Sequence, residues 1–216
     1  MKKSMLIIGL GSFGTNLAEF LIELGNDVMV VDLDEQVVSN FQAKYNPTNS
    51  WFGDCTSEVA IKNIGIKNFD MCFVTAGSNF QASLQITSNL RSCGAKFIVA
   101  KANNDFQEKL LYSSGADKVI NPEKAIARDL ARSYTFDNIY DYIEMSDGFA
   151  MADIKVSKSL VGQTIVTADI RKKFNVNVFA IKTREGITML PEPDYIFQKG
   201  DHLKVVGKQG DIKKLK

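Results

Sequence analysis

The chain has 216 residues, of which 45% are hydrophobic and 24% charged, and its formal net charge is +1. These values exclude a disordered chain, a fibre or a miniprotein, and the length predicts either one large domain or a medium domain with a small one. No segment approaches the roughly 20 consecutive apolar residues of a membrane-spanning helix or has the core of a signal peptide, so we expect a cytoplasmic protein. Three cysteines without a C-x-x-C spacing and a single histidine argue against a disulfide framework or a zinc cluster. We expect reduced thiols in or near the core.

Short β-branched, apolar runs alternate with helical patterns over about the first 120 residues, which is typical of a parallel α/β domain. The predicted strands cover residues 5–9, 28–32, 50–53, 70–75, 97–101 and 118–120. Because each strand returns through a helix, right-handed crossovers predict a Rossmann-type, doubly wound parallel sheet. The ligand site of such a sheet lies at the carboxyl ends of its strands.

The pattern changes after the sixth predicted strand. Pro122 begins a helix that lasts until about Tyr134. We predict a second short helix over residues 137–144 and a hinge at the turn over residues 146–148. A small α+β module of about 70 residues follows. Its predicted strands cover residues 150–156, 178–182, 186–189 and 202–206, with a helix over residues 168–174. The predicted domains are therefore 1–134 and 148–216, joined by a helical crossover over 135–147.

The net charge conceals an asymmetry between these modules. Residues 1–150 hold 13 Lys and Arg against 18 Asp and Glu, whereas residues 151–216 hold 13 against 7. The basic second module can meet an anionic ligand or an acidic partner, or its lysines can simply cover a solvated face. No helix-turn-helix, RNA-binding or basic-aromatic pattern accompanies the lysines, so we do not expect a nucleic-acid partner.

A G-x-G-x-x-G pattern follows the first predicted strand and opens a helix. Gly9 permits the tight turn, Gly11 lets a diphosphate approach the backbone, and Gly14 lets the helix pack against the strand. The helix N-terminus offers N–H groups to phosphate oxygens. Asp32, at the end of the second strand, can accept hydrogen bonds from both ribose hydroxyls and should repel a 2′-phosphate. The alternative is a structural glycine turn with an aspartate in a nearby loop.

Catalytic chemistry is less well supported than nucleotide binding. A dehydrogenase needs a proton donor or acceptor beside the nicotinamide. The single histidine, His202, lies far along the chain in the second module. The sequence therefore favours a nucleotide sensor that is not an enzyme, and a small NAD(H)-dependent oxidoreductase is the alternative.

An ordered series of motifs along nearly the whole chain resembles the RCK family, whose two domains are called TrkA-N and TrkA-C, and in particular the regulatory subunits of Ktr potassium transporters. The motifs are Gly9–Gly14, Val30–Asp32, Gly53–Thr56, Val74–Asn79 and Gly115–Glu123, followed by the small terminal domain. The resemblance implies a cytoplasmic gating subunit on the inner face of the cell membrane, bound to a potassium-translocating subunit of the KtrB or KtrD type. It also implies dimers that assemble into an octameric ring and respond to ATP/ADP or NAD(H).

The resemblance assigns nucleotide-binding roles at the strand ends. The glycine loop holds the phosphates, Asp32 the ribose, and Asp54 the adenine amine, although Asp54 can instead cap a helix. The full implied set is Gly9, Gly11, Ser12, Phe13, Gly14, Asp32, Asp54, Cys55, Ala76, Gly77, Asn79 and Lys101. Ser12 departs from the family pattern, since Ktr regulatory subunits commonly carry an arginine there that reaches the terminal phosphate of ATP. A short neutral serine cannot supply that charge-assisted contact.

Two further sites rest on the resemblance. Glu123 matches a glutamate that faces the nucleotide of a neighbouring subunit and can hold a divalent cation, Mg²⁺ or Ca²⁺, there. Stabilisation of the helix dipole is the alternative role for Glu123. The second module is expected to pair with its twin and to bind cyclic di-AMP, with Arg171 as the phosphate partner. The implied residues are Ile170, Arg171, Asn177 and Pro191.

Overall fold

The structure is a computed structural model, and it describes residues 2–45, 49–77, 79–135 and 139–215. The chain divides into two compact units, Met1–Ala125 and Ile126–Lys216. Among the described residues, no helix combines the length and the apolar character needed to cross a bilayer.

The first unit alternates strands and helices from its N-terminus. Its strands are β1 (Ser4–Ile8), β2 (Asp27–Asp32), β3 (Asn49–Phe52), β4 (Met71–Val74), β5 (Ile98–Lys101) and β6 (Lys118–Ile120). Its helices are α1 (Ser12–Glu23), α2 (Glu35–Lys44), α3 (Glu58–Ile64), α4 (Phe80–Ser92) and α5 (Asp105–Ser113), and α6 (Pro122–Thr135) continues into the second unit. Each of the six predicted strands is present, and no strand end differs from its predicted position by more than one residue.

The six strands form one parallel sheet in the order β3-β2-β1-β4-β5-β6. This is the doubly wound order, so the predicted fold class is confirmed. Alternation along β1 builds a core on each face: Leu6 and Ile8 pack in one buried cluster, and Met5 and Ile7 in the other. Cys55 and Cys72 are buried thiols of the first cluster, as expected, and Cys93 is half-buried.

The second unit is built around an antiparallel sheet of five strands in the order β10-β9-β11-β8-β7. Its strands are β7 (Ile139–Glu144), β8 (Phe149–Lys155), β9 (Val176–Lys182), β10 (Ile187–Met189) and β11 (His202–Lys208). Its short helices are α7 (Ile165–Ala168), α8 (Ile170–Phe174) and α9 (Gln209–Ile212). Residues of these helices join the inward faces of β8, β9 and β11 in one core.

The predicted helix over residues 137–144 is wrong. Residues 139–144 form β7, which pairs antiparallel with β8, and residues 137 and 138 lie outside the described part of the chain. The segment is so short that its apolar residues fit both the helical period of about 3.6 residues and the strand period of two. Pairing with β8 stabilises the strand. Tyr142 packs on the core and its neighbour Ile143 is exposed, as a strand requires. The turn over residues 146–148 joins β7 to β8 within one sheet.

The predicted connection over 135–147 is therefore not helical across residues 139–144. The domain boundaries at 134 and 148 stay a prediction. The predicted helix over 168–174 is also divided, because Asp169 adopts a left-handed conformation, with φ of 47°, between α7 and α8.

Arg91 connects the end of α4 to the turn before β6 through hydrogen bonds. Its guanidinium donates to the carbonyl of Gly115 at 2.9 and 2.7 Å and to the carboxylate of Asp117 at 2.6 Å. Asp117 in turn accepts from the backbone N–H of Ile98 at 2.7 Å, at the start of β5. The Gly115-Ala116-Asp117 motif thus serves the packing of the sheet edge in this structure.

We predict that Arg91→Ala lowers the free energy of unfolding by about 1–2 kcal/mol, because it leaves the Gly115 carbonyl and Asp117 without their charged donor. Urea unfolding followed by circular dichroism measures the change. Lys62→Ala is the matched control, since Lys62 belongs to an exposed pair with Glu58 one helical turn away. That variant should change stability by less than about 0.5 kcal/mol. Equal effects of the two variants would contradict the structural role of Arg91.

Candidate functional site

The segment Gly9–Gly14, called the glycine turn below, connects β1 to α1. Gly9 has φ of 104°, a left-handed conformation that glycine adopts without strain, and its N–H donates to the Val31 carbonyl at 2.8 Å. A Cβ built on Gly14 would lie 1.9 Å from the Gly9 carbonyl oxygen. Both glycines are therefore required by the backbone packing of the turn itself.

Gly11 is different from the other two glycines. It has φ of −63° and nothing lies within 4 Å of a Cβ built on it, so neither backbone strain nor packing requires a glycine here. Gly11 is the N-cap of α1, and as a glycine it offers no side chain to the free N–H groups of the first turn. Ser12 and Gly11 are both exposed. This helix end is open to an anion.

Asp32 ends β2 beside the glycine turn. One carboxylate oxygen accepts from the N–H of Leu10 at 2.5 Å, and the other accepts from the N–H of Asp34 at 3.0 Å. These two bonds fix the orientation of the carboxylate and tie it to the glycine turn. The side chain remains partly exposed, so it can accept further hydrogen bonds.

Asp54 and Cys55 follow β3 along the same edge of the sheet. The Asp54 carboxylate accepts from the N–H and the hydroxyl of Thr56, at 2.8 and 2.7 Å, and the hydroxyl bond in particular lowers the pKa of Asp54. The helix that follows is capped at Ser57, so Asp54 shapes the turn and is not the N-cap. Cys55 is buried in the core, and burial raises the pKa of its thiol to about 12.

The segment after β4 closes the other side of the glycine turn. Gly77 accepts through its carbonyl from the Asn103 side chain at 3.0 Å, and Asn79 caps α4 by accepting from the N–H of Ala82 at 3.1 Å. The Ala76 carbonyl accepts from the Ser83 hydroxyl at 2.7 Å. These side chains hold the backbone of the loop in place.

Thr75 is a site residue that sequence reasoning missed. It is buried at the end of β4, and its hydroxyl lies 3.0 Å from the Ile8 carbonyl oxygen and 2.6 Å from that of Gly9. Asn103, which supports Gly77, was also missed. A polar residue at the end of an apolar strand was the available signal for Thr75.

Lys101 ends β5 with its side chain only 13% exposed. Its ammonium lies 2.6 Å from the carboxylate of Glu123, at the start of α6, and 5.8 Å from the ring centroid of Phe13, in the first turn of α1. A Cβ built on Gly77 would lie 3.6 Å from the same nitrogen. The structure therefore brings the ends of β4 and β5 and the starts of α1 and α6 together around one ammonium group.

Comparison with known proteins identifies the family. Residues 5–122 match the TrkA-N domain and residues 150–216 match the TrkA-C domain. The chain belongs to the TrkA-N/TrkA-C family. It is 37% identical over 212 residues to the Ktr system potassium uptake protein C of Bacillus subtilis, a match that covers 98% of this chain and 95% of that protein.

Solved structures show the same fold. The RCK domain of GsuK superposes with a TM-score of 0.55 at 24% identity, over 98% of this chain and 45% of that one. GsuK bound to ADP superposes with a TM-score of 0.52 at 26% identity, over 61% of this chain and 33% of that one. This chain thus spans less than half the length of those GsuK chains.

Glu123, which the TrkA family resemblance assigns to a divalent cation, is engaged by Lys101. The Lys101 ammonium lowers the pKa of Glu123 by hydrogen bonding, so Glu123 is a carboxylate at neutral pH. Among the described residues, no cluster of three or more His, Cys, Asp or Glu side chains could hold a metal ion. A lone carboxylate already paired with an ammonium does not fit the oxygen cage of a resident Mg²⁺ or Ca²⁺. The cation role of Glu123 stays a prediction.

The four residues assigned to a second ligand in the TrkA-C domain differ in exposure. Ile170 is 3% exposed and belongs to the core, whereas Arg171 and Asn177 are exposed and Pro191 is half-buried. Arg171 lies on α8 immediately before Lys172 and Lys173, which are also exposed. The side chains that can meet a ligand directly are thus Arg171, Asn177 and Pro191.

We predict that two glycine-to-alanine variants in the TrkA-N domain affect different properties, one the stability of the protein and the other its affinity for ADP. Gly14→Ala forces a methyl group against the Gly9 carbonyl and should destabilise the protein by about 2 kcal/mol or more. Gly11→Ala has room and an ordinary φ, so it should cost less than about 1 kcal/mol of stability, the cost of alanine at an N-cap. Its affinity for ADP should fall at least about tenfold, because the methyl group blocks the diphosphate. Thermal melts and calorimetric titration measure the two effects. Retained ADP affinity in Gly11→Ala would contradict the assignment.

Proposed function

We propose that this chain is a nucleotide-binding regulatory subunit of a potassium-uptake system. One observation carries the proposal: in a TrkA-N/TrkA-C chain, the open end of α1, Asp32 and Lys101 lie along the carboxyl edge of one parallel sheet. A helix N-terminus and an ammonium suit phosphates, and a carboxylate suits ribose hydroxyls. The relative at 37% identity is itself a potassium uptake protein.

The ligand class follows from the charges along this edge. Asp32 is anchored by two backbone N–H groups next to the glycine turn, where a 2′-phosphate would meet a fixed negative charge. We therefore propose ATP, ADP or NAD(H) as ligands and disfavour NADP(H). The solved structure of GsuK with ADP supports an adenine nucleotide.

Regulation suits the TrkA-N site better than the alternative of a small NAD(H)-dependent oxidoreductase. The chain's single histidine, His202, lies on β11 of the second unit, where its ring contacts the Asp153 carboxylate at 2.7 Å. Tyr195 and Lys199 have the spacing of a tyrosine–lysine catalytic pair. However, Tyr195 donates to Asp201 at 2.8 Å, and burial followed by that contact raises its pKa to about 12. A phenol in that state is a poor general acid or base at neutral pH.

We also propose that the chain assembles with copies of itself and binds a membrane partner. Helix α6 exposes Ile126, Leu130 and Tyr134 at four-residue spacing, which gives one apolar stripe on the helix surface. Such a stripe supports pairing of two chains, as the family resemblance implies for dimers within an octameric ring. We propose that the ring acts on the inner face of the cell membrane by binding a KtrB- or KtrD-like subunit. Nucleotides can shift that ring only through unequal affinity for its two states.

We predict that Asp32→Asn weakens ADP binding by about tenfold, because it removes the charged acceptor of the ribose hydroxyls. The wild type should bind ADP at least tenfold more tightly than 2′-phospho-ADP. In Asp32→Asn the ratio of these two affinities should be smaller, because the variant lacks the negative charge that repels the 2′-phosphate. Isothermal titration calorimetry of the whole chain measures both affinities.

Asp34→Asn is the matched control for Asp32→Asn. Asp34 caps α2 two residues further on, the charge change is the same, and asparagine is an equally good N-cap. ADP affinity should stay at the wild-type value in this control. Equal binding of ADP and 2′-phospho-ADP by the wild type would overturn the role of Asp32, and steady NADH oxidation with a small carbonyl substrate would favour the oxidoreductase.

For the TrkA-C domain we propose cyclic di-AMP as second ligand, with Arg171 as its phosphate partner. Arg171→Ala should abolish cyclic di-AMP binding, whereas Lys172→Ala, the exposed neighbour of equal charge, should retain it. Raised salt should weaken the wild-type interaction, since a phosphate contact is screened. Calorimetry on the whole chain measures cyclic di-AMP binding by the wild type and the two variants. Full binding by Arg171→Ala would contradict the role of Arg171 as phosphate partner.

A further inference from the structure

The Lys101 ammonium sits where a nucleotide phosphate would arrive. Phe13, whose ring lies 5.8 Å from it, belongs to the glycine turn, and Gly77 lies on the loop after β4. The side chain is largely enclosed, and Glu123 takes up its charge at 2.6 Å. Glu123 itself is 64% exposed, so it can swing away from Lys101 into solvent without losing buried contacts.

A phosphate and Glu123 compete for this ammonium. A nucleotide diphosphate or triphosphate brings at least two negative charges, and a carboxylate within hydrogen-bond distance of the same nitrogen would repel them. The neighbouring cation Lys124 pairs with Asp105 in this structure, so it is also engaged. Among the described residues, no group of three or more His, Cys, Asp or Glu side chains could hold a metal ion to offset this repulsion. The phosphate must therefore displace the carboxylate or bring its own cation.

We propose that the Lys101–Glu123 ion pair is a built-in latch, in which Glu123 pairs with Lys101 as in this structure and is released when a nucleotide phosphate takes its place. The proposal rests on the nucleotide binding proposed above. Lys101 exchanges one anionic partner for another, so the ammonium stays paired in both states and the released group is a carboxylate of the same chain.

The release acts on the start of α6. Glu123 lies in the first turn of this helix, which begins at Pro122 and continues past Ala125 into the segment that opens the second unit. The described ion pairs of this first turn are Lys101–Glu123, which reaches the end of β5, and Lys124–Asp105, which reaches the start of α5. Loss of one of two such ties loosens the helix start, which links phosphate occupancy to the connection between the units.

The latch is tested by Glu123→Gln against Asp105→Asn, with the affinities of ADP and of inorganic pyrophosphate measured by calorimetry in the presence of a chelator. Glu123→Gln removes the competing charge at Lys101, so both ligands should bind more tightly, on the order of tenfold. Asp105→Asn removes the same charge from the adjacent ion pair without touching Lys101. Its affinities should stay within about twofold of the wild type.

A second test of the latch uses the variant Lys101→Met. It should weaken both ligands, and adding Glu123→Gln to it should change their affinities no further, because the two residues act through one contact. Circular dichroism melts verify that each variant is folded. Hydrogen exchange of the α6 backbone amides should be faster in Glu123→Gln than in the wild type, and likewise faster on adding ADP to the wild type.

The outcomes separate the latch from the proposed function. If the wild type binds neither ADP nor another adenine nucleotide, the proposed function fails. If the wild type binds ADP but Glu123→Gln binds it equally or more weakly under chelation, the latch is wrong and the proposed function stands. Equal tightening by Asp105→Asn would also overturn the latch, since it would reduce the effect to overall charge. Weaker binding by Glu123→Gln only when Mg²⁺ is added would instead favour a cation bridge.

Discussion

Close backbone contact between the glycine turn and the end of β4 is the constraint on which the proposed nucleotide site depends. The Gly9 carbonyl is held by the Thr75 hydroxyl at 2.6 Å, and Gly14 packs so closely on that carbonyl that no side chain fits. β1 and β4 are the neighbours from which the sheet extends in opposite directions. The crevice there is open because the helices that follow the two strands lie on opposite faces. Thr75, at the end of a core strand, thus holds the glycine turn in position.

Charge is distributed along this edge in a way that orients a ligand. Asp32 is bound to the backbone at one end, where a ribose needs acceptors, and Lys101 is held at the other, where phosphates need a cation. Asp32 and Lys101 differ in the groups that hold them. Asp32 is fixed by two backbone N–H groups of the chain, whereas Lys101 is held by Glu123, the anion that we propose a phosphate replaces. In the proposed site, recognition of the ribose would therefore be preorganised, and recognition of the phosphate would be competitive.

The second unit uses its buried charges differently. Asp201 accepts from the Tyr195 hydroxyl and from the Gln198 N–H, and Asp153 meets His202 and Lys204. These carboxylates are satisfied within the unit and act in its packing. The excess of basic residues in this part of the chain lies largely on exposed side chains such as those of α8. An anionic ligand of the TrkA-C domain would meet that surface and not the buried network.

The sequence alone determined the doubly wound parallel sheet and the glycine turn, because these depend on local period and on glycine spacing. Tertiary structure decided the rest. Residues 139–144 became a strand only because β8 offers a partner, which a short apolar run cannot reveal. Gly11 and Gly14 look alike in the motif, and only packing shows that Gly14 is required by the fold and Gly11 is not. Lys101 and Glu123 are 22 residues apart, and their pairing follows from where β5 ends and α6 begins in space.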